Sequence, residues 1–422
     1  MDTMSFSGTA PPTRGTSSLR SARPRWRHRL RQQQKRRASH FPRILSCANC
    51  SRLRWLTLSL RAKTCQRWLR SPSTRTRVRT NIMRVAFCGA GAVGASLSAN
   101  LINAGVDVTV IDPWASHVEA IRSSGLTVNM PSGSEHTRFH PLHVSEVAEL
   151  YEPFDIVFSG VKSYDTRWVA ELMKPLMAGD SVFVGTQNGM TIDEVSEILG
   201  PERTVGCVVG IAANMPEPGL VNREVTREGT WLAVGSVEGT ITKRVEQVHE
   251  LLTHAAQVEI TQDIRSAKWM KLLANIPEML PSGILGAPLM EAARDPEVRA
   301  AMDQASREAY AVAQALGVTF MPSLGIAASD VPDSDQYALD LLDAVLARFS
   351  QPTTRVAVLQ DWDKGRRAEL DAFSGYVVKK GLDIGMPTPV NQAILDIAKR
   401  IESRELTPSW ENKALLVAAG QA

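Results

Sequence analysis

Three things are in short supply in this sequence: cysteine, acid in its first fifth, and long apolar runs. The five cysteines are Cys47, Cys50, Cys65, Cys88 and Cys207. Cys47 and Cys50 have CxxC spacing but lack the second Cys or His pair that closes a tetrahedral zinc site. Cys88 and Cys207 lie in apolar runs and read as small buried hydrophobes of a reducing cytosol, so a cytoplasmic location is expected. No stretch holds 18 consecutive apolar residues, which excludes a membrane-spanning helix. Residues 1–82 contain 20 of the 48 Lys and Arg residues but a single acid, Asp2. Such a segment builds no packed core and is expected to be disordered. It reads as a preface to a protein whose translation starts at Met83, ahead of a transit peptide or a nucleic-acid-binding arm. Peptides upstream of Met83 in the native protein would contradict that order. The remaining residues carry 28 basic and 43 acidic side chains, and an acidic body implies no nucleic-acid partner. With 44% hydrophobic and 22% charged residues, the chain has the composition of a soluble globular protein.

What is present is organised around residues 83–112. Val85-Ala-Phe-Cys88 reads as a buried parallel strand, followed at once by Gly89-Ala90-Gly91-Ala92-Val93-Gly94. A helix-period segment closed by Gly105 and a β-branched run ending on Asp112 complete a βαβ unit. Each glycine then has a role. Gly89 permits the tight turn, Gly91 lets backbone approach a pyrophosphate, and Gly94 lets helix and strand pack closely. Strand, turn, helix, strand and terminal acid are all in register for dinucleotide binding.

The α/β alternation continues to residue 262. Helices are expected at 117–123, 166–177, 192–199 and 242–255. Strands are expected at 126–130, 139–144, 156–161, 181–185, 205–211 and 258–261, with a hairpin about Gly229 within 219–234. From residue 263 onward only helical periodicity appears, at 264–274, 296–316, 334–349, 369–380 and 389–404, punctuated by prolines. The expected fold is therefore α/β: a Rossmann-type doubly wound, mainly parallel sheet (residues 83–262) followed by an all-α domain (263–422).

Lys271 and Asn275 are four apart on one helix face, with Lys268 close by. A helix lysine is ordinarily solvated, yet a partly desolvated one at a domain junction can donate a proton to a carbonyl oxygen. Asn188 follows a strand whose carboxyl end faces the cofactor cleft, although Asn-Gly is also a common turn pair. Glu369 reads equally as an acid in the first turn of a helix.

Taken together, these segments resemble the ketopantoate reductases (2-dehydropantoate 2-reductases). The motifs are Gly89-Ala-Gly-Ala-Val-Gly94, Val161-Lys162-Ser-Tyr164, Gln187-Asn188-Gly189-Met190, Lys268-Trp269-Met-Lys271-Leu-Leu-Ala-Asn275, and Leu359-Gln-Asp361 through Gly365-Arg366, Ala368-Glu369 and Gly375. The resemblance implies a Rossmann domain and a helical domain with the active site between them. It implies Lys271 as general acid, Asn188 and Asn275 positioning substrate and nicotinamide, and Glu369 holding a substrate hydroxyl and supporting Lys271. Asp361 would belong to the substrate site and Lys162 would approach the cofactor. NADP(H) is the cofactor the family implies.

Three positions depart from the family pattern: Ala357 replaces a serine, Met279 an asparagine, and Asp112 stands where an arginine commonly grips a 2′-phosphate. A carboxylate there suits a free ribose hydroxyl, which leans the expectation towards NAD(H). The leading function is reduction of a small 2-keto acid, 2-dehydropantoate or a relative, to its 2-hydroxy acid. The rivals are a paralogue acting on another 2-oxo or 3-hydroxy acid and a non-catalytic NAD(P)-binding redox sensor. No metal is expected. A small-molecule 2-keto acid and, optionally, a second copy of the chain are the expected partners, with neither membrane nor nucleic acid for the body.

Overall fold

The computed structural model describes residues 83–323 and 334–421. The expectations for residues 1–82 lie outside them.

Burial alternation dictates how the first half is layered. In β1 (Val85–Cys88), Val85 and Phe87 join one apolar cluster, while Ala86 and Cys88 join another on the opposite face. A strand buried on both faces needs helices on both sides, and that is the doubly wound arrangement. The helix α1 (Ala92–Asn103) covers the first face. The helices α3 (Thr166–Met173) and α4 (Ile192–Leu199) cover the second, while α2 (Ala115–Ser124) follows β2 (Val108–Asp112). The remaining strands of the main sheet are β5 (Leu142–His143), β6 (Phe154–Ser159), β7 (Met177–Gly185), β8 (Thr204–Gly210), β11 (Trp231–Ser236) and β12 (Gln257–Ile260). Their order is β12-β11-β8-β7-β6-β1-β2-β5, and only the β8–β11 pairing is antiparallel. The helix α5 (Lys243–Thr253), capped by the Thr242 hydroxyl, joins β11 to β12.

A second sheet escaped the sequence reading. It has the order β4-β3-β10-β9, with β3 (Leu126–Met130), β4 (Gly133–Thr137), β9 (Ala213–Glu217) and β10 (Leu220–Arg223). The strand expected at residues 139–144 is displaced: β3 turns over Pro131-Ser132 and pairs with Gly133–Thr137, while Leu142–His143 joins β2. Gly-Ser-Glu-His-Thr has no apolar alternation because this edge strand is largely exposed, so periodicity could not find it. The hairpin expected about Gly229 is also wrong. Its two arms, β10 and β11, belong to different sheets, and β10 pairs instead with β9 across Pro218-Gly219, where Gly219 has φ +81°.

No strand follows β12 among the described residues. The helices are α6 (Ile264–Leu285), α7 (Leu289–Arg294), α8 (Pro296–Ala315), α9 (Gln336–Arg348), α10 (Ala357–Asp363), α11 (Ser374–Asp383), α12 (Pro389–Glu402) and α13 (Lys413–Ala419). The helix α6 was expected to end at residue 274 but continues through Pro277 and Pro281 to Gly286, a left-handed cap. Each interior proline removes a hydrogen bond and costs roughly 3 kcal/mol in an isolated helix. With 19 of its 22 residues buried, burial of this central helix offsets that cost. The expected helix 369–380 is shifted as well. Glu369 precedes a short 3-10 turn, and Phe373, at φ −109° and ψ −114°, separates that turn from α11.

Candidate active site

The glycine turn sits where β1 ends. Gly89 has φ +92°, and a Cβ there would lie 2.5 Å from the Val161 nitrogen. A Cβ on Gly94 would lie 2.0 Å from the Gly89 oxygen, so α1 and β1 pack too closely for any side chain. Gly91 is the opposite case: a Cβ would meet nothing within 4 Å. Its open side lies at the start of α1, whose first-turn N–H groups have no side-chain cap. Ala92 and Val93, half-buried, form that first turn. Space, free donors and a positive helix end together fit a pyrophosphate.

Asp112 closes the cradle. Its Oδ2 accepts the Ala90 N–H at 2.6 Å and its Oδ1 accepts the Trp114 N–H at 2.7 Å. The carboxylate is thus fixed at the carboxyl end of β2, where a ribose 2′-hydroxyl falls in this fold.

Across the cleft three charged groups meet. Lys162, just after β6, places Nζ 2.6 Å from Asp361 Oδ2 and 3.3 Å from Glu369 Oε2. Both carboxylates are buried. Glu369 Oε1 also accepts the Ser163 N–H at 2.7 Å. Burial works against the Lys162 charge, but Glu369 and then Asp361 outweigh it and raise its pKa. Burial raises the Asp361 carboxyl, with Lys162 opposing. The structure therefore joins Glu369 to Lys162 and Ser163, and no hydrogen bond joins it to Lys271.

Lys268, Lys271 and Asn275 lie within about 60° of one another around α6. Lys268 defines where that face looks: its Nζ donates to the Gln187 carbonyl at 3.0 Å and the Cys207 carbonyl at 3.3 Å. Gln187 is itself anchored, its Nε2 donating to Ser159 and Thr166. Asn188 is half-buried on this turn, and Gly189, at φ +71°, presses against Ala372 of the helical domain so that a Cβ would lie 2.9 Å from its oxygen. The α6 face thus looks towards the turn carrying Asn188. Lys271 is half-buried, and among the described residues it makes no hydrogen bond or ion pair. Asn275 is fully buried, yet neither its amide nitrogen nor its amide oxygen has a partner. Buried amides are almost always satisfied, so one with neither atom paired is unusual.

The sequence reading missed what Lys268 and Ser163 do. Burial without a carboxylate partner drives the Lys268 pKa down to about 8. Only helical spacing linked Lys268 to Lys271, and spacing does not say which amine is buried. Cys88 and Cys207 lie fully inside, where burial pushes each thiol up to about 12 and leaves it unreactive. No cluster able to hold a metal occurs among the described residues, nor any helix long and apolar enough to cross a membrane.

A glycine turn with free N–H groups at a helix start, together with a buried unpaired amide on α6, suits the class of dinucleotide-dependent oxidoreductases, and comparison narrows the class to a family. Residues 85–237 match the family model described as ketopantoate reductase PanE/ApbA, and residues 263–402 match its C-terminal counterpart. The chain belongs to the ketopantoate reductase family and is an NAD(P)-dependent oxidoreductase acting on a CH–OH group. It is 28% identical to the 2-dehydropantoate 2-reductase of Mesorhizobium japonicum over 76% of this chain and 98% of that one. The corresponding protein of Archaeoglobus fulgidus is also 28% identical, over 76% and 99%. A crystal structure of a ketopantoate reductase from Ralstonia eutropha superposes with TM-score 0.65 and 29% identity, covering 76% of this chain and 99% of that one. D-mandelate dehydrogenase, 18% identical with TM-score 0.67 over 76% and 99%, shares the fold.

Proposed function

We propose that this cleft reduces a small 2-keto acid, 2-dehydropantoate or a close relative, to the 2-hydroxy acid in the cytosol. The observation that carries the reading is Asn275, a buried amide without a partner one helical turn from Lys271, whose amine makes no hydrogen bond or ion pair among the described residues. The turn 89–94 would hold the pyrophosphate and Asp112 the adenosine ribose; when bound, the reduced dinucleotide supplies the hydride. Lys271 holds a proton on Nζ for the keto oxygen, which gains negative charge as the carbonyl is reduced. Asn275 and Asn188 orient the carbonyl and the nicotinamide. Glu369 and Asp361, both bound by Lys162, offer acceptors for a substrate hydroxyl, and the packing of Gly189 on Ala372 helps keep water out.

A second reading, another 2-oxo acid as substrate, draws on Ala357 and Met279. Both are half-buried apolar side chains at positions where the family commonly carries polar ones, and losing two polar contacts changes what a hydrogen-bonding site prefers. Following NADH and NADPH oxidation against a panel of 2-keto acids separates the readings. We expect turnover of 2-dehydropantoate, with NADH giving the higher kcat/KM because Asp112 repels a 2′-phosphate. Equal or better turnover with NADPH would overturn the cofactor preference, and turnover of other 2-keto acids only would overturn the substrate.

A further inference from the structure

The turn after β2, Pro113-Trp114-Ala115-Ser116, brings no Lys or Arg to the adenosine end; the imidazoles nearby are His117 and His143, whose Nε2 lies 3.1 Å from the Pro113 carbonyl oxygen. Arg122 on the next helix is engaged by Glu146, Glu119 and the Pro141 carbonyl. A cation nevertheless reaches this point from the other domain. The Arg366 guanidinium lies 4.6 Å above the centre of the Trp114 ring, and the Trp114 N–H is the one that holds Asp112. Burial pulls the His117 pKa down, Asp112 raises it and Arg366 lowers it, so both charges act on one ring beside the cradle.

Arg366 is held for this position. Its N–H donates to the Asp361 carbonyl at 2.8 Å, closing a turn in which Gly365 has φ +64°, and the Asp361 side chain is bound by Lys162. Arg355 and Arg367, on the same stretch, are paired with Asp363 and Asp371. Arg366 is exposed and, among the described residues, forms no ion pair.

We propose that Arg366 is a specificity determinant delivered by the helical domain, its guanidinium taking the 2′-phosphate of a 2′-phosphorylated adenosine while Trp114 serves as its platform. Planar, permanently charged and forked, a guanidinium suits a phosphate in this role. The proposal rests on the reading of the cleft as a dinucleotide site and deepens it: Asp112 favours NADH, and Arg366 keeps NADPH acceptable.

Calorimetric titration of the full chain with 2′,5′-ADP and with 5′-AMP tests it. In R366A, and in R366Q, which keeps bulk and loses charge, binding of 2′,5′-ADP should weaken about 10-fold or more, and binding of 5′-AMP less than about 3-fold. Equal weakening of both nucleotides, or of neither, would overturn the role of Arg366 alone. Failure of the unaltered chain to bind either would overturn the dinucleotide reading and this proposal with it.

Discussion

Lys268 and Lys271 are three residues apart, and their environments assign them different work. Lys271 is half-buried and, among the described residues, makes no hydrogen bond or ion pair. Lys268, buried, spends its amine on two carbonyls and fixes the turn that carries Asn188. Its depressed pKa has a consequence for stability. Below pH 8 the group is protonated in both the folded and unfolded chains and burial of its charge opposes folding. Between about 8 and the ordinary value of 10.5, the folded chain releases its proton while the unfolded chain keeps it, so stability rises with pH. The gain is about 3 kcal/mol across that window. Urea unfolding of the unaltered chain and of K268M at pH 7, 8, 9 and 10 should show this rise in the first and a flatter profile in the second. Parallel profiles would mean that Lys268 is not buried in its charged form. The same comparison explains what spacing could not supply. A helix face can be read from i, i+3 and i+4 positions, but burial along that face depends on strands far away in sequence.

At the scale of elements, the first βαβ unit was legible because everything that makes it is local. Gly94 illustrates how rigid that unit is. A methyl group there meets the Gly89 backbone, and neither partner is the free end of a side chain. G94A is therefore expected to lose at least about 2 kcal/mol of stability, measured by denaturant midpoint, and to weaken dinucleotide binding. A G91A variant offers the control, because its methyl enters open space and should leave the midpoint nearly unchanged. Other elements were not legible, for identifiable reasons. Prolines at 277 and 281 signal a break, yet α6 is buried on almost every side and continues through them. Gly229 lies between two β-branched runs, but β10 finds its partners in β9 and β3 while β11 joins the main sheet. Pairing partners distant in sequence decide such cases.

For the molecule as a whole, the two domains are tied at the points where chemistry is proposed. Lys162 and Ser163 reach Asp361 and Glu369, Gly189 rests on Ala372, Trp114 lies under Arg366, and Lys268 crosses to Gln187. Of the residues singled out from sequence, Lys162, Asp361 and Glu369 meet on this seam, and their partnership could be seen only in three dimensions. The seam is proposed to hold a dinucleotide and to present the Lys271 proton to a keto group. The most direct measurement is steady-state oxidation of NADH with 2-dehydropantoate by the unaltered chain and K271A, alongside NADH binding followed by fluorescence. K271A should lose about 10²- to 10⁴-fold in kcat, the usual contribution of a general acid, with the NADH Kd within about 3-fold of the unaltered chain. A K271A protein that retains kcat within about 10-fold would contradict the proposal.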